Sequence, residues 1–281
     1  VTLRHATWAE AADFAIGLRP IPVAAWLEGG EPDPAARKDP LFARHPQTVW
    51  GEAAGSRPAQ AEALAMTAAA LGRPIDAGDR PPLLAAAREV PDDLCLMERR
   101  DGAWRLTALS LCAPTFFSAD AVLGLSLAEL HAPVDGFAVR FLARVERLFE
   151  GLRPGLLLER RNWTVVNSNE RFTPQSGPVR AQIPGIRPGD AGRALFLRVE
   201  RQTLRRLPRT GAALFTIRVW LDPLQALAED PAGLAAFAQA WRGAAPAFRD
   251  YKRFALYDPL VEAFLRAEGE SYSVNGPRSS S

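Results

Sequence analysis

Three histidines, His5, His45 and His131, are the whole imidazole complement of this 281-residue chain, and Cys95 and Cys112 are its whole thiol complement. Any chemistry that needs an imidazole must use one of those three positions. His131 is the best placed. It lies in Leu127-Ala-Glu-Leu-His-Ala-Pro-Val134, where a predicted helix gives way to a turn bounded by Pro133, and a histidine at a helix end can turn its ring toward a ligand. The same position suits a histidine held by the helix dipole or by a carbonyl of the last turn, and the residues alone leave both readings open. His5 sits in the N-terminal segment, and His45, between Arg44 and Pro46, in a Pro-rich loop where solvent is its expected neighbour. Two cysteines hold neither a zinc finger nor an iron–sulfur cluster. Both fall in one predicted hairpin, with Cys95 facing about Ala108 and Cys112 about Pro91, too far apart for a disulfide, so they are expected as small buried fillers.

The elements that must position these residues change character along the chain. Residues 1–58, rich in Pro and Gly with apolar anchors at Phe14, Ile16, Trp26 and Leu27, are expected as an irregular strap. Ala59 to Leu71 is built of strong helix formers and stops at Gly72-Arg-Pro74, and Pro81 to Arg88 suits a shorter helix. From Asp93 the period becomes that of strands. Leu94–Glu98 and Trp104–Cys112 flank Asp101-Gly102, the firmest hairpin signal in the sequence. Ser118 is a predicted N-cap for short helical turns that lead to His131, and Phe137 to Leu152 has an amphipathic helix pattern. Three β-rich runs follow, 156–166, 194–204 and 212–221. In the second, Leu195, Leu197 and Val199 share one side, and Phe196, Arg198, Glu200 and Gln202 the other. In the third, Phe215, Ile217, Val219 and Leu221 oppose Leu214, Thr216, Arg218 and Trp220, so each strand has an expected dry side and a charged, mixed side. Residues 231–244 and 248–268 are helical in pattern, and 271–281 is a polar tail expected to be disordered. The order fits an α+β fold, an antiparallel sheet with helices on one face, extended by helices at both ends. One domain is expected over 1–281, with a PAS-like core at about 90–225, the strap and helices at 1–89, and C-terminal helices at 226–270.

Composition removes several function classes. A formal charge of +2 with scattered basic residues gives no nucleic-acid footprint, and no apolar run reaches the ~20 residues needed to span a bilayer. No secretory signal pattern opens the sequence, so a cytoplasmic location is expected. Lys38 and Lys252 are the only lysines among 34 basic residues, an arginine bias expected of a GC-rich bacterial genome. It leaves many planar guanidinium forks available for carboxylates.

Several blocks taken together resemble one family. Val90-Pro-Asp-Asp-Leu-Cys-Leu-Met97, Leu111-Cys-Ala-Pro-Thr115, Leu123 to Val134, Arg161-Asn-Trp-Thr164, Leu197 to Pro208 and Ala213 to Arg218 are similar, in order, to the haem-dependent oxidative N-demethylases, over roughly residues 14–255. The resemblance implies a PAS-like fold holding haem b and O2-dependent oxidation of a small secondary amine such as dimethylamine, with formaldehyde released. It also implies that electrons come from NADPH through reductase subunits carrying flavin and iron–sulfur, and this chain shows no Gly-rich dinucleotide loop after a strand.

Under that resemblance His131 is the expected axial ligand of the haem iron, with His45 as fallback. Glu200 becomes the carboxylate that receives the ammonium of the amine, or alternatively a partner in a cross-strand ion pair. Arg198, Arg201 and Arg218 are candidates for the two propionates, each with a solvated surface position as the bland alternative. Trp163 is a candidate pocket wall, with core packing as its alternative, and Asn162 and Gln202 are candidates to orient substrate or water. Two other functions fit the same residues: a non-catalytic haem-PAS sensor, and a haem-free interaction subunit.

Overall fold

The computed structural model describes the backbone of residues 17–132 and 141–275. His5, the start of the expected helix at Phe137 and the last residues of the polar tail lie outside these. In chain order the main elements are β1 (Arg19–Pro20), α1 (Pro34–Arg44), β2 (Trp50–Glu52), α2 (Arg57–Leu71), α3 (Pro82–Glu89), β3 (Asp93–Arg100), β4 (Ala103–Ser110), α4 (Ala143–Gly151), β5 (Leu157–Val166), β6 (Phe196–Arg206), β7 (Ala213–Pro223), α5 (Pro231–Gly243), α6 (Pro246–Lys252) and α7 (Asp258–Asn275). The strands form one seven-stranded sheet, β1-β5-β6-β7-β3-β4-β2, in which every pairing is antiparallel. Its five long strands, numbered from β3, stand in the order 2-1-5-4-3, the PAS-like arrangement that the resemblance implies.

Local chemistry explains most of these boundaries. The β3–β4 hairpin turns at Asp101 and Gly102, with φ of 51° and 78°; an Asp-Gly pair tolerates two consecutive left-handed residues, and that turn matches the strand twist. Helix α2 ends at Gly72, φ 67°, whose N–H caps the last turn, as Gly-Arg-Pro foretells. Two expectations need correction. The N-terminal strap contains α1, started by Pro34 and capped by the Asp33 side chain on Ala36 N; its Pro40 obscured the helical pattern. The polar tail enters α7, which runs to Asn275 rather than stopping near 268.

The sheet is buried differently on its two sides. On one side, α2 and α3 pack on Leu94, Leu96 and Leu214, and α5 to α7 pack on Trp163, Val165, Leu197, Val199 and Trp220. Here Trp163 meets Phe237, Phe248 and Phe254, with ring centroids 5.7 to 6.3 Å apart, close enough for each aromatic pair to add ~0.5–1.5 kcal/mol beyond area burial. On the other side, α4 and the one-turn helix Leu127–Leu130 pack on Met97, Trp104, Leu106, Leu158 and Leu204. The core's own short helices thus cover one face, and the N- and C-terminal extensions cover the other.

That division reverses the expectation for β7. Its charged side, Leu214, Thr216, Arg218 and Trp220, is buried, whereas Phe215, Ile217 and Leu221 of the expected dry side are only half-buried. Antiparallel register decides this, because Arg201 is paired with Arg218 and Glu200 with Val219. The dry side of β6 therefore shares a face with the mixed side of β7. The opposite face carries the mixed side of β6 and the apolar side of β7.

Candidate functional site

The half-covered face of the sheet assembles a polar chamber. Register sets Asn162 opposite Glu200 and Arg160 opposite Gln202, and alternation sends Arg198, Glu200 and Gln202 to the same side. Their side chains form a chain of hydrogen bonds. Arg160 Nε donates to Gln202 Oε1 at 2.7 Å, and Gln202 Nε2 donates to Glu200 Oε2 at 3.1 Å. The other Glu200 oxygen accepts from Thr115 Oγ1 at 3.1 Å and Arg198 Nε at 3.2 Å. From α6, Lys252 Nζ reaches Asn162 Oδ1 at 3.0 Å. Arg198 also donates to the carbonyl of Ala113 at 2.5 Å, fixing the segment that follows β4.

Electrostatics bind the cluster together. Burial alone would raise the pKa of Glu200, but the charges of Arg198 and Lys252 and the bonds from Arg198 and Thr115 hold it below the carboxylate range. Burial pushes Lys252 down to about 8, against the opposing pull of Glu200. Arg160 is weakened by burial as well, with Glu200 the main opposing charge. Desolvation leads in all three, yet each keeps some exposure, 17% for the Glu200 side chain. The three charges are therefore largely buried yet still in reach of solvent.

His131 stands beside this cluster, at the C-terminal end of the helix Leu127–Leu130, which a Ser126–Glu129 capping box starts. Its Nδ1 lies 2.8 Å from the Leu127 carbonyl. A carbonyl only accepts, so Nδ1 carries the proton and the lone pair is on Nε2. The ring is half-buried; burial first, and then the charge of Arg160, hold its pKa below the usual imidazole value against the carbonyl bond. The imidazole is therefore neutral at pH 7, the form that binds a metal.

Of the residues singled out from sequence, the fold brings together His131, Glu200, Arg198, Asn162 and Gln202. Arg201, Arg218 and Trp163 are on the other face, and their expected roles beside the same ligand are corrected. The reason is period two: residues 198 and 201 on one strand point to opposite sides. Arg201 is 1% exposed and saturated by Glu159 and the carbonyls of Trp26 and Ala25. Arg218 is 2% exposed, 3.7 Å from Glu31, with Asp92 as its main opposing charge. Neither is the surface arginine that was the alternative. Trp163 belongs to the aromatic core. His45 is exposed, against Phe172 at 5.2 Å. Arg160, Lys252 and Thr115 were missed, although Arg160 shares the side of Asn162 by simple alternation.

The donor set suits a haem. Both cysteines are buried and unpaired, and burial pushes Cys112 up to about 12 and Cys95 higher still, so neither offers a thiolate. The helix that bears His131 packs on the sheet face where Phe215, Ile217 and Leu221 form a half-buried apolar row, and an imidazole is a nitrogen donor of the kind haem iron takes. The family model of the haem-dependent oxidative N-demethylase, alpha subunit-like proteins matches residues 41–261. The chain belongs to this family. The matched span contains the whole chamber, from Thr115 to Lys252, and every strand except β1. Among the described residues no helix is long and apolar enough to cross a membrane, and no His, Cys, Asp and Glu cluster forms a protein-only metal site.

Proposed function

We propose that this chain binds haem b through His131 and is the catalytic subunit of an O2-dependent oxidative N-demethylation of a small secondary amine, with electrons delivered by partner subunits. The observation that carries this reading is the neutral imidazole, fixed at Nδ1 by its own helix, beside a buried polar cluster and an apolar strand face. When bound, haem supplies the oxidising power for attack at the N-methyl group. The chain supplies everything that positions the reaction.

His131 holds the cofactor, and its Leu127 bond sets the tautomer and orientation of the ring, a support that metal-bound histidines use widely. Glu200 stays ionised, and an ionised carboxylate accepts from the N–H groups of the amine. Thr115, Arg198 and Gln202 fix where its oxygens point. Asn162, across the strand from Glu200, is held by Lys252 and presents its amide beside the same spot. The apolar side of β7 excludes water from the cofactor face. An alpha-subunit-like chain with two buried thiols relies on other subunits for reductase centres, so NADPH, flavin and iron–sulfur are assigned to partners.

The test is the absorption spectrum of haem-reconstituted wild type and His131→Ala, followed by formaldehyde release with dimethylamine and a chemical reductant. The expected result is a histidine-ligated Soret spectrum that the variant loses, with amine-dependent formaldehyde from wild type. An unchanged spectrum in His131→Ala removes the ligand assignment. Turnover absent despite bound haem leaves the sensor reading in place. Glu200→Gln is expected to keep haem and weaken amine binding.

A further inference from the structure

The chamber holds more positive charge than it uses. Arg160, Arg198 and Lys252 face a single carboxylate, Glu200, and among the described residues no other carboxylate acts on Arg160 or Lys252. Three cations against one anion leave an excess of two positive charges, with His131 neutral. Within the cluster Arg198 is spent on Glu200 and on the Ala113 carbonyl. The other two are not. Arg160 uses Nε on Gln202 and leaves both Nη groups without a hydrogen bond among the described residues, and Lys252 makes one hydrogen bond, to Asn162, with the Phe248 and Tyr251 rings 5.7 and 5.5 Å from its ammonium but no carboxylate other than Glu200 acting on it.

Two buried cations elsewhere are fully engaged, whereas Arg218, whose Nε and Nη1 make no hydrogen bond among the described residues, has Glu31 and Asp92 opposing its charge. Arg201, more deeply buried, engages Glu159 and two carbonyls, and Lys38, the other lysine, is fully buried with its ammonium on the carbonyls of Ala87 and Asp92 at 2.8 and 2.6 Å. A buried cation is costly until it is paired. A guanidinium edge and an ammonium beside one another, desolvated but reachable, match the two oxygens of a carboxylate, which a guanidinium takes in bidentate fashion.

We infer that Arg160 and Lys252 form a binding site for a carboxylate carried by a ligand of the chamber. The inference rests on the haem reading only for the identity of that ligand, since two sources offer the group: a propionate of the porphyrin, or the acid of an N-methyl amino acid substrate. Either brings the cluster toward neutrality, and with the surplus removed Glu200 can meet an alkylammonium. A bare amine alone would instead enter a pocket already too positive.

The experiment uses the full chain with Arg160→Gln, Lys252→Gln and the charge-keeping Arg160→Lys, each checked for folding by circular dichroism. Iron-free protoporphyrin and its dimethyl ester are titrated by tryptophan quenching, and haem-loaded protein is titrated with N-methylglycine and with dimethylamine. If propionates are the occupant, wild type prefers the diacid porphyrin at least tenfold, both Gln variants lose the preference and Arg160→Lys retains it. If the substrate supplies the acid, the two porphyrins bind alike and N-methylglycine binds at least tenfold tighter than dimethylamine, again only with both cations present. No preference in either titration, or one that survives both Gln substitutions, overturns the site. Should haem itself fail to load, the haem reading fails by itself; the carboxylate site is then judged by succinate, which must raise the melting temperature of wild type and leave both Gln variants unmoved.

Discussion

Replacing Lys252 with methionine should make the ligand-free protein more stable, although it deletes a hydrogen bond. Burial lowers the Lys252 pKa from 10.5 to about 8, with Glu200 only partly compensating. At about 1.4 kcal/mol per unit, holding the protonated amine in the fold costs roughly 3 kcal/mol at pH 7. A methionine of similar length gives up the bond to Asn162, about 1 kcal/mol, and keeps the stem packing. The net gain is roughly 1–2 kcal/mol, or a rise in Tm of roughly 2–8 °C for a chain of this size. The pH dependence is specific. The folded state sheds this proton at lower pH than the unfolded chain, so the unfolded chain binds more protons between about pH 8 and 10.5, and wild-type stability rises across that window. Lys252→Met lacks the proton altogether. The difference in Tm between variant and wild type should be largest below pH 8 and shrink as pH approaches 10.5. Thermal unfolding followed by circular dichroism over pH 7 to 10.5 measures it. A variant less stable than wild type at pH 7, or a difference that ignores pH, refutes the claim that this ammonium is strained in the ligand-free protein.

Other groups give equally direct tests. Glu62 of α2 caps the β6–β7 turn, accepting from Arg209 N at 2.7 Å, Thr210 N at 2.8 Å and Thr210 Oγ1 at 2.7 Å. Burial works to raise its pKa, but the bonds from Thr210 and Arg209 outweigh burial and hold it low; Glu62→Ala should cost about 2–4 kcal/mol in denaturant unfolding at pH 7. That loss should fade as acid protonates the wild-type carboxylate, and a variant within ~0.5 kcal/mol of wild type would remove the capping role. Burial raises Asp92 to about 6 in spite of Arg218, Lys38 and Arg201. Its neutral form suits the fold, so the contribution is favourable in acid and lost as pH rises through about 6; Asp92→Asn should raise Tm at pH 8 and change it little at pH 4. An equal shift at both pH values would contradict this.

How far the site could be read from sequence depended on the period of the elements. The Asp101-Gly102 hairpin, the stop at Gly72 and the strands around Trp163, Leu197 and Phe215 were legible because turn chemistry and alternation are local. The same alternation already separates Arg198 from Arg201, yet three arginines had been grouped by their block rather than by side. Register was not legible. Nothing in β6 or β7 alone says that Arg201 meets Arg218 and Glu200 meets Val219, and that pairing decides which apolar row is packed and which lines the chamber. Lys252 comes from an element beyond the sheet, on α6, and only the fold sets it against Asn162. Its one local signal was its type, a lysine in a chain that uses arginine almost everywhere.

Arg201 on one face of the sheet and Arg160 on the other put the same residue type to opposite ends. On the closed face, Arg201 is locked by Glu159 and backbone carbonyls, so its charge ties the N-terminal segment at Ala25 and Trp26 to the sheet. On the chamber face, Arg160 and Lys252 are buried with donors to spare. Side chains that serve only the fold gain by being satisfied; those that await a ligand must stay partly unsatisfied until it arrives. The strain assigned to Lys252 in the ligand-free state is then the counterpart of carboxylate binding, since the ligand relieves what burial imposes. The two effects must therefore move together. Lys252→Met should stabilise the empty protein while weakening the carboxylate ligand, and a carboxylate ligand should raise the Tm of wild type more than that of the variant. If the variant is stabilised but binds the carboxylate as tightly as wild type, the lysine is strained for some purpose other than the one argued from its neighbours.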